Sequence, residues 1–460
     1  MKYTAWSLLF LLPAIAYSQQ QPTPVQRALQ RTETVASVPQ LGEQLTLKDA
    51  ITMALEKDYQ IKVAKTQEQI ARNNRIPGNA GLLPVVTGNV NSNGSLQNLN
   101  QGFLDNIRPR QTANGVFNRT GVFGVTGTYT LFNGFSNFIT YDQLGDLVKI
   151  SEVNTRLNIE TTIANVATAY YDVVRQLQQI LALRQALSIS RERLDLAKAN
   201  YEVGTRSKVD FLSAQVDYNA DSSALVSQEQ TLRNAKILLN SLIVRDPSTE
   251  FAVRDTILVK TDLAADQLRQ SLFENNPLLV NAKLNRRVAD RNTQIARASR
   301  LPTVNLQTAY NYTRIDNQGG FGIGNARNTG LTYNIQAAIP IFNGGNIKRT
   351  IANAKANELI AEYQEADQKV LLQQAFDQTY TQYRNSLTLL NLEVQNYQIA
   401  IQNIDIAYER YRVGNSTAVE FRDVQRNAVA AQARLINAEY AAKAAEIELL
   451  RLSSTIAQGL

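Results

Sequence analysis

The chain has 460 residues and contains neither Cys nor His, which removes thiol nucleophiles, disulfides, His general bases and the usual zinc sites together. Apolar residues make up 44% and the formal charge is +7 with no Lys/Arg run. That balance reads as ordinary solubility, with no nucleic-acid partner, and it leaves an enzyme only carboxylate chemistry.

The N-terminus, MKYTAWSLLFLLPAIAYSQQQ, carries Lys2, an apolar run from Leu8 to Ala16, and small residues at Ala14 and Ala16. This is the form of a cleaved secretory signal over residues 1–18, with cleavage after Ala16 or Ser18. The run is too short to span a bilayer. No Cys follows to carry a lipid, so the expectation is an exported chain beginning with an extended segment over 19–45.

Beyond it the sequence is written twice. Phe132-Asn133-Gly134 recurs as Phe342-Asn343-Gly344, an offset of 210 residues (342 − 132), and YEVGT at Tyr201 recurs as YRVGN at Tyr411 with the same offset. Leu83-Pro84 is answered loosely by Leu301-Pro302. The expected organisation is a first repeat over 46–245, a linker over 246–264, and a second repeat over 265–460. Each repeat reads as helix, strand, loop, strand, very long helix, turn, helix.

The paired strands come first in each repeat. In VFGVTGTYTL, Phe123, Val125, Gly127, Tyr129 and Leu131 oppose Gly124, Thr126, Thr128 and Thr130. In TVNLQTAYNY, Val304, Leu306, Thr308, Tyr310 and Tyr312 oppose Asn305, Gln307, Ala309 and Asn311. LTYNIQAAIPI, from Leu331 to Ile341, alternates likewise, and VVTGNVNSNG, from Val85, less clearly. Such alternation suits a sheet over a soluble core or a barrel wall between lipid and water. Tyrosines near the strand ends favour the barrel. The loops are expected over Gln97–Asn118 and Asn317–Asn328, facing outward and free to vary.

After each strand pair the rhythm changes to a rod. No Gly or Pro interrupts Asn346 to Val413 or Asp146 to Val203, and the former would extend roughly 100 Å as a helix. Phe376, Tyr383, Leu390, Tyr397, Ile404 and Tyr411 fall every seventh residue. Val166, Val173, Ile180, Leu187, Leu194 and Tyr201 do the same. Since 210 is a multiple of seven, both seams share one register and call for packing against partner helices. Arg184 and Arg191 interrupt the second row of the first seam, at a wet interior or at the surface.

The seams between strand and helix follow from local chemistry. Pro84 and Pro302 push the preceding residue out of helical conformation. Gly134 and Gly344 can take left-handed angles, Asn133 or Asn343 can cap the next helix, and Pro340 suits a strand end.

Four strands cannot close a barrel, and open edges do not survive in hydrocarbon. Several chains must therefore share one barrel and one helical wall. The duplicated halves, the Leu-Pro strand starts, LFNGF and IFNGG, and the YEVGTRSKVDFLSAQ turn resemble the TolC-type outer membrane efflux proteins over nearly the whole mature chain. The resemblance implies an α+β membrane protein without catalysis or cofactor. It would be a homotrimer with a twelve-stranded β-barrel, four strands per chain, continued by a long α-helical coiled-coil barrel built from two tandem structural repeats. It would lie in the outer membrane of a Gram-negative bacterium, with a periplasmic extension. It would form the exit duct of a tripartite efflux or type I secretion system, working with a periplasmic adaptor (membrane fusion protein) and an inner-membrane pump.

At the turns, Gly204 and Gly414 suit the residue that ends a helix, and Ser207…Asp210 and Thr417…Glu420 have capping-box spacing. The resemblance further implies that Glu420 and Asp423 form acidic rings at the periplasmic entrance, with Asp210 and Arg206 nearby. Ser416 stands where the family pattern has Arg. Val203, Gly204, Val413 and Gly414 are the expected adaptor contacts. The rival readings are a periplasmic coiled-coil adaptor or structural protein without a channel, a carboxylate-dependent enzyme, and a dedicated protein-secretion or metal-efflux conduit.

Overall fold

The computed structural model describes residues 42–104, 107–253, 256–318 and 323–459. The expected signal peptide and most of the segment after it lie outside these residues. In chain order the elements are β1 (Glu43–Gln44), α1 (Leu47–Lys57), α2 (Tyr59–Asn74), β2 (Val85–Gln101), β3 (Gln111–Phe132), α3 (Ser136–Glu202) and α4 (Lys208–Leu242). There follow β4 (Phe251–Ala252), α5 (Ala265–Asn275), α6 (Pro277–Ala298), β5 (Thr303–Asn317), β6 (Asn325–Ala338), α7 (Asn346–Arg412), α8 (Ala418–Leu452) and α9 (Ile456–Gly459). Each half runs two helices, a strand pair, a long helix and a return helix, with two helices where the sequence reads as one. Long helices α3 and α7 have 67 residues each and return helices α4 and α8 have 35 each.

Two compact units form. One contains residues 51–165, 264–378 and 448–459, and the other contains 166–263, 379–447 and the described residues up to Ala50. Both units draw on both halves of the sequence.

The first, here the sheet unit, holds a four-stranded antiparallel sheet in the order β2-β3-β5-β6. Register places Val90, Phe123, Tyr312 and Thr329 at one level, then Gly88, Val125, Tyr310 and Leu331, then Val86, Gly127, Thr308 and Tyr333. This face, period two along every strand, is the apolar set. It ends where Arg119 opposes Asp316 and Gly121 opposes Arg314. From Val304 to Tyr312 it covers about the 9–11 residues that a tilted strand needs to cross a bilayer. The other face stacks Val85, Thr128, Gln307 and Asn334, then Thr87, Thr126, Ala309 and Thr332, then Asn89, Gly124, Asn311 and Gly330.

Pro84 and Pro302 stand immediately before β2 and β5, and Pro340 lies just after β6. Two expectations need correction. The strands continue through Gln97–Gln101, Gln111–Asn118 and Asn325–Asn328, so the loops are shorter than expected. Conversely β6 stops at Ala338, leaving Ile339 and Ile341 outside the ladder, because Pro340 has no N–H to continue it.

Around the sheet's base, α5 and α6 are tied to the end of α8. Ser271 Oγ donates to the Ser453 carbonyl at 2.7 Å and Asn276 Nδ2 to the Leu452 carbonyl at 2.9 Å. Asn276 also accepts from Leu278 N–H at 2.9 Å, capping the helix that Pro277 begins.

In the other, helical unit, the sevenfold seam is buried as expected at Tyr383, Leu390, Ile404 and Tyr411 on α7, and at Val166, Val173 and Ile180 on α3. Arg184 and Arg191 face outward, the former paired with Glu229 at 3.1 Å. Described parts of the linker are held here. Buried Glu446 takes Lys443 Nζ at 2.9 Å and the Lys260 N–H at 3.0 Å, and the Tyr383 hydroxyl donates to the Lys260 carbonyl. β4 pairs in parallel with β1.

Candidate functional site: the paired helix turns

The two turns of the helical unit share one backbone. After α3, Thr205 N–H reaches the Asn200 carbonyl at 2.9 Å and Gly204 N–H the Tyr201 carbonyl at 3.0 Å. After α7, Asn415 N–H reaches the Arg410 carbonyl at 2.8 Å and Gly414 N–H the Tyr411 carbonyl at 3.1 Å. Gly204 and Gly414 have φ of 74° and 84°, the left-handed closure that satisfies the last helical carbonyls. Each turn then stacks a ring across itself, Tyr201 on Phe211 at 6.0 Å and Tyr411 on Phe421 at 5.4 Å.

The caps differ. Glu420 N–H donates to Thr417 Oγ1 at 3.2 Å, and Thr417 N–H returns to the Glu420 carboxylate at 3.1 Å, the full capping box. The first turn has only the forward bond, from Asp210 N–H to Ser207 Oγ at 3.2 Å. The Thr417 N–H, and then the Ser416 hydroxyl, hold the Glu420 carboxyl below the usual carboxylate range. Asp423, one turn further along, is exposed and takes no part in the cap, while Asp210 is half-buried. Val203 and Val413 are both exposed.

Arg206 reaches across to the second turn. Its guanidinium covers the Tyr411 ring at 5.4 Å, an attraction between cation and ring face. It makes no ion pair with Glu420 or Asp423 among the described residues. With this cover and the cluster of Ile404, Phe421 and Ala428 around it, Tyr411 is only 3% exposed, whereas Tyr201, in the turn where Ser416 is the counterpart of Arg206, is 39% exposed.

Residues 50–243 and 268–455 match the outer membrane efflux protein family. The chain belongs to that family. Among its relatives, an outer membrane protein TolC of Vibrio cholerae is 25% identical over 297 residues, covering 60% of this chain and 64% of that protein. The outer membrane efflux protein BepC of Brucella suis is 23% identical, covering 89% of this chain and 86% of the other. Among solved structures, the outer-membrane channel OprN superposes with a TM-score of 0.75 at 17% identity, over 89% of this chain and 90% of that one. The outer membrane protein VceC of Vibrio cholerae gives 0.72 at 17% identity, over 88% and 95%. The tandem, helix-dominated fold is thus that of the family's outer-membrane channels.

Sequence reasoning missed a charged cluster beside the turns, built on the buried Arg193 with Asp217, Asp221 and Arg422 half-buried around it. Arg422 on α8 spans Asp221 on α4 at 2.7 and 2.8 Å, which raises its pKa further. Arg193 on α3, 2% exposed, pairs with Asp217, which also lies 3.5 Å from Arg422. Ser190 donates to Asp221, and Gln425 Nε2 donates to Ser190 at 2.8 Å and to the Ala186 carbonyl at 3.1 Å. A subtraction of the repeats signals it: 210 residues on, Arg193 and Asp217 become Asn403 and Asn427, and 210 residues back, Arg422 becomes Leu212.

The strand–helix seams also behave alike. Asn133 and Asn343 accept the N–H of Asn137 and Ile347 at 3.3 and 3.4 Å. Gly134 and Gly344 have φ of 68° and 65°. The next residue is left-handed in both copies, Gly345 at 80° and Phe135 at 65°, and the Phe135 ring packs edge-on against Phe132 at 5.3 Å.

Proposed function

We propose that this chain is one of three copies forming an outer-membrane exit duct for a tripartite efflux or type I secretion system, with no catalytic step of its own. One observation carries the assembly. Ala182, Ile189 and Leu196 on α3 pack within the chain, two of them against the cluster of Ile404, Tyr411, Phe421 and Ala428. Their counterparts 210 residues on, Leu392, Ile399 and Ile406, are 51%, 65% and 61% exposed. A stripe that is covered in one repeat and bare in the other calls for the first hairpin of another copy.

The sheet supports the same reading. β2 and β6 are its edges, and they run antiparallel, so β6 of one copy can pair with β2 of the next. Three sheets of four strands close a twelve-stranded barrel with no free edge. Its apolar face, with Val90, Val125, Tyr310, Leu331 and Tyr333 all more than half exposed, meets lipid. That face disfavours the soluble adaptor and the carboxylate enzyme.

At the turns, Glu420 and Asp423 would form rings of three carboxylates that bind cations when held close. The Thr417 N–H and the Ser416 hydroxyl favour the Glu420 anion, and with it the charged form of the ring. Asp210 and Arg206 border it. Val203, Gly204, Val413 and Gly414 are the proposed contacts for the periplasmic adaptor, which would couple the duct to an inner-membrane pump.

The test is single-channel recording in planar bilayers with purified protein. Glu420→Ala with Asp423→Ala is expected to raise conductance and to abolish block by divalent cations. Unchanged conductance and block would remove the entrance assignment. A mature protein that purifies from soluble buffer as a monomer would remove the duct itself.

A further inference from the structure

Because the hairpins α3–α4 and α7–α8 repeat at a multiple of seven residues, their apolar seams alone cannot say which hairpin packs against which. The groove between α3 and α4 holds α8 of the same chain, with Arg422 on Asp221, Arg193 on Asp217, and Gln425 reaching Ser190 and the Ala186 carbonyl. In the assembly proposed above, on which this inference rests, the equivalent groove between α7 and α8 receives α4 of the neighbouring copy. There the groove carries Asn403, Asn427 and Ala431 in place of Arg193, Asp217 and Asp221, and the incoming helix carries Leu212 in place of Arg422. Asn403, Asn427 and Leu212 are exposed in the single chain.

We propose that the Arg193–Asp217–Asp221–Arg422 cluster is a pairing key that forces first and second hairpins to alternate around the tube. If α4 of another copy entered the first groove, Leu212 would lie against Asp217 and Asp221. If α8 of another copy entered the second groove, Arg422 would lie among Asn403, Asn427 and Ala431. Either error buries a charge without its partner, and discrimination of this kind comes from penalising the wrong complex rather than from improving the right one. Burial of Arg193 fits such a role. Its Nε and Nη1 lack hydrogen-bond partners, a poor arrangement for stability alone, whereas a polar group in an apolar seam is a well-attested means of fixing helix pairing.

The key is tested by levelling it. Arg193→Asn, Asp217→Asn, Asp221→Ala and Arg422→Leu together give the first groove and its occupant the residues of the second. The full-length protein is purified in detergent and its oligomers are counted by native mass spectrometry. Pairing is read by Gln179→Cys and Asn437→Cys with a short bis-maleimide, since those side chains meet across the first groove at 3.1 Å and the chain has no other Cys.

The unlevelled protein should give one oligomer and crosslink within each chain. The levelled protein should give several oligomers and lose about half of that crosslink, as expected when two partners compete equally. One oligomer with undiminished intrachain crosslinking overturns the key. Should the levelled protein fail to fold, Arg422→Asp is compared with Arg422→Asp plus Asp221→Arg. Loss of the crosslink in the first and its return in the second support the key, and no return overturns it. A monomeric unlevelled protein overturns the duct reading and the key together, whereas a normal trimer indifferent to levelling overturns the key alone.

Discussion

The two helix turns have the same backbone and different surroundings, and the contrast separates what a turn needs from what its neighbours impose. Gly204 and Gly414, the stacked Tyr–Phe pairs and the capping hydroxyls are common to both. Only in the second turn is the ring pair sealed, by Arg206 above Tyr411 and by the packing of Phe421 against Tyr408. The turn itself requires a left-handed residue and a cap. Burial is set by which hairpin lies alongside.

That contrast predicts its largest effect at the matched phenylalanines. Phe421 is fully buried and Phe211 half-buried, so Phe421→Ala should cost about 4 kcal/mol and Phe211→Ala about 1–2 kcal/mol. Denaturant unfolding followed by the helical signal in detergent measures both. Equal losses would mean that assembly buries the two turns alike.

A second pair is Glu439 on α8 and its counterpart Glu229 on α4. Glu229 meets Arg184 at the surface. Glu439 is 9% exposed, and the position answering Arg184 is the buried Val394. Burial pushes the Glu439 carboxyl up to about 8 from an ordinary value of 4.5. Across that window the folded chain holds a proton that the unfolded chain has released, so stability is greatest in acid and falls as pH rises. Glu439→Gln should remove this loss, gaining up to a few kcal/mol at pH 9 relative to the unaltered chain and little at pH 5. Glu229→Gln should leave the profile unchanged. Thermal melts across pH decide, and parallel curves for the unaltered chain and Glu439→Gln would sink the assignment.

The smallest effect concerns the caps. Thr417→Ala with Glu420→Ala breaks both bonds of a capping box, since the Thr417 N–H loses its carboxylate and the Glu420 position loses its hydroxyl. Ser207→Ala breaks one bond, so losses of about 1 kcal/mol for the double change and about 0.5 kcal/mol for the single one are expected. Hydrogen exchange at the first turns of α8 and α4 would resolve them. A larger loss at Ser207 would reverse the ranking.

Much of this was legible in the sequence because repetition leaves arithmetic behind. The 210-residue offset exposed both turns, both strand–helix seams and the heptad rows before any coordinates. The strand ends were not legible. Gln97–Gln101 and Gln111–Asn118 are mostly polar, and Val116 and Phe117 fall on opposite faces, so alternation is silent there, and only cross-strand register shows them to be paired. Arg193 escaped for a different reason. Heptad counting marks Arg184 and Arg191 as the offending positions, but a rod that packs against two neighbours has more than one buried stripe. The Asp210 and Glu420 caps were readable from spacing, whereas the position of Arg206 over Tyr411 depends on a helix more than two hundred residues away.

The polar face of the sheet has a consequence for passage. Over the three levels from Val85 to Asn89 and their partners it offers hydroxyls, amides and small apolar groups, with no ionised side chain. With nothing fixed in sign along this stretch, ions of either polarity should cross it at rates proportional to their mobility in free solution. Current–voltage curves limited by this stretch should be symmetric, with rectification arising only where carboxylates or guanidinium groups line the path.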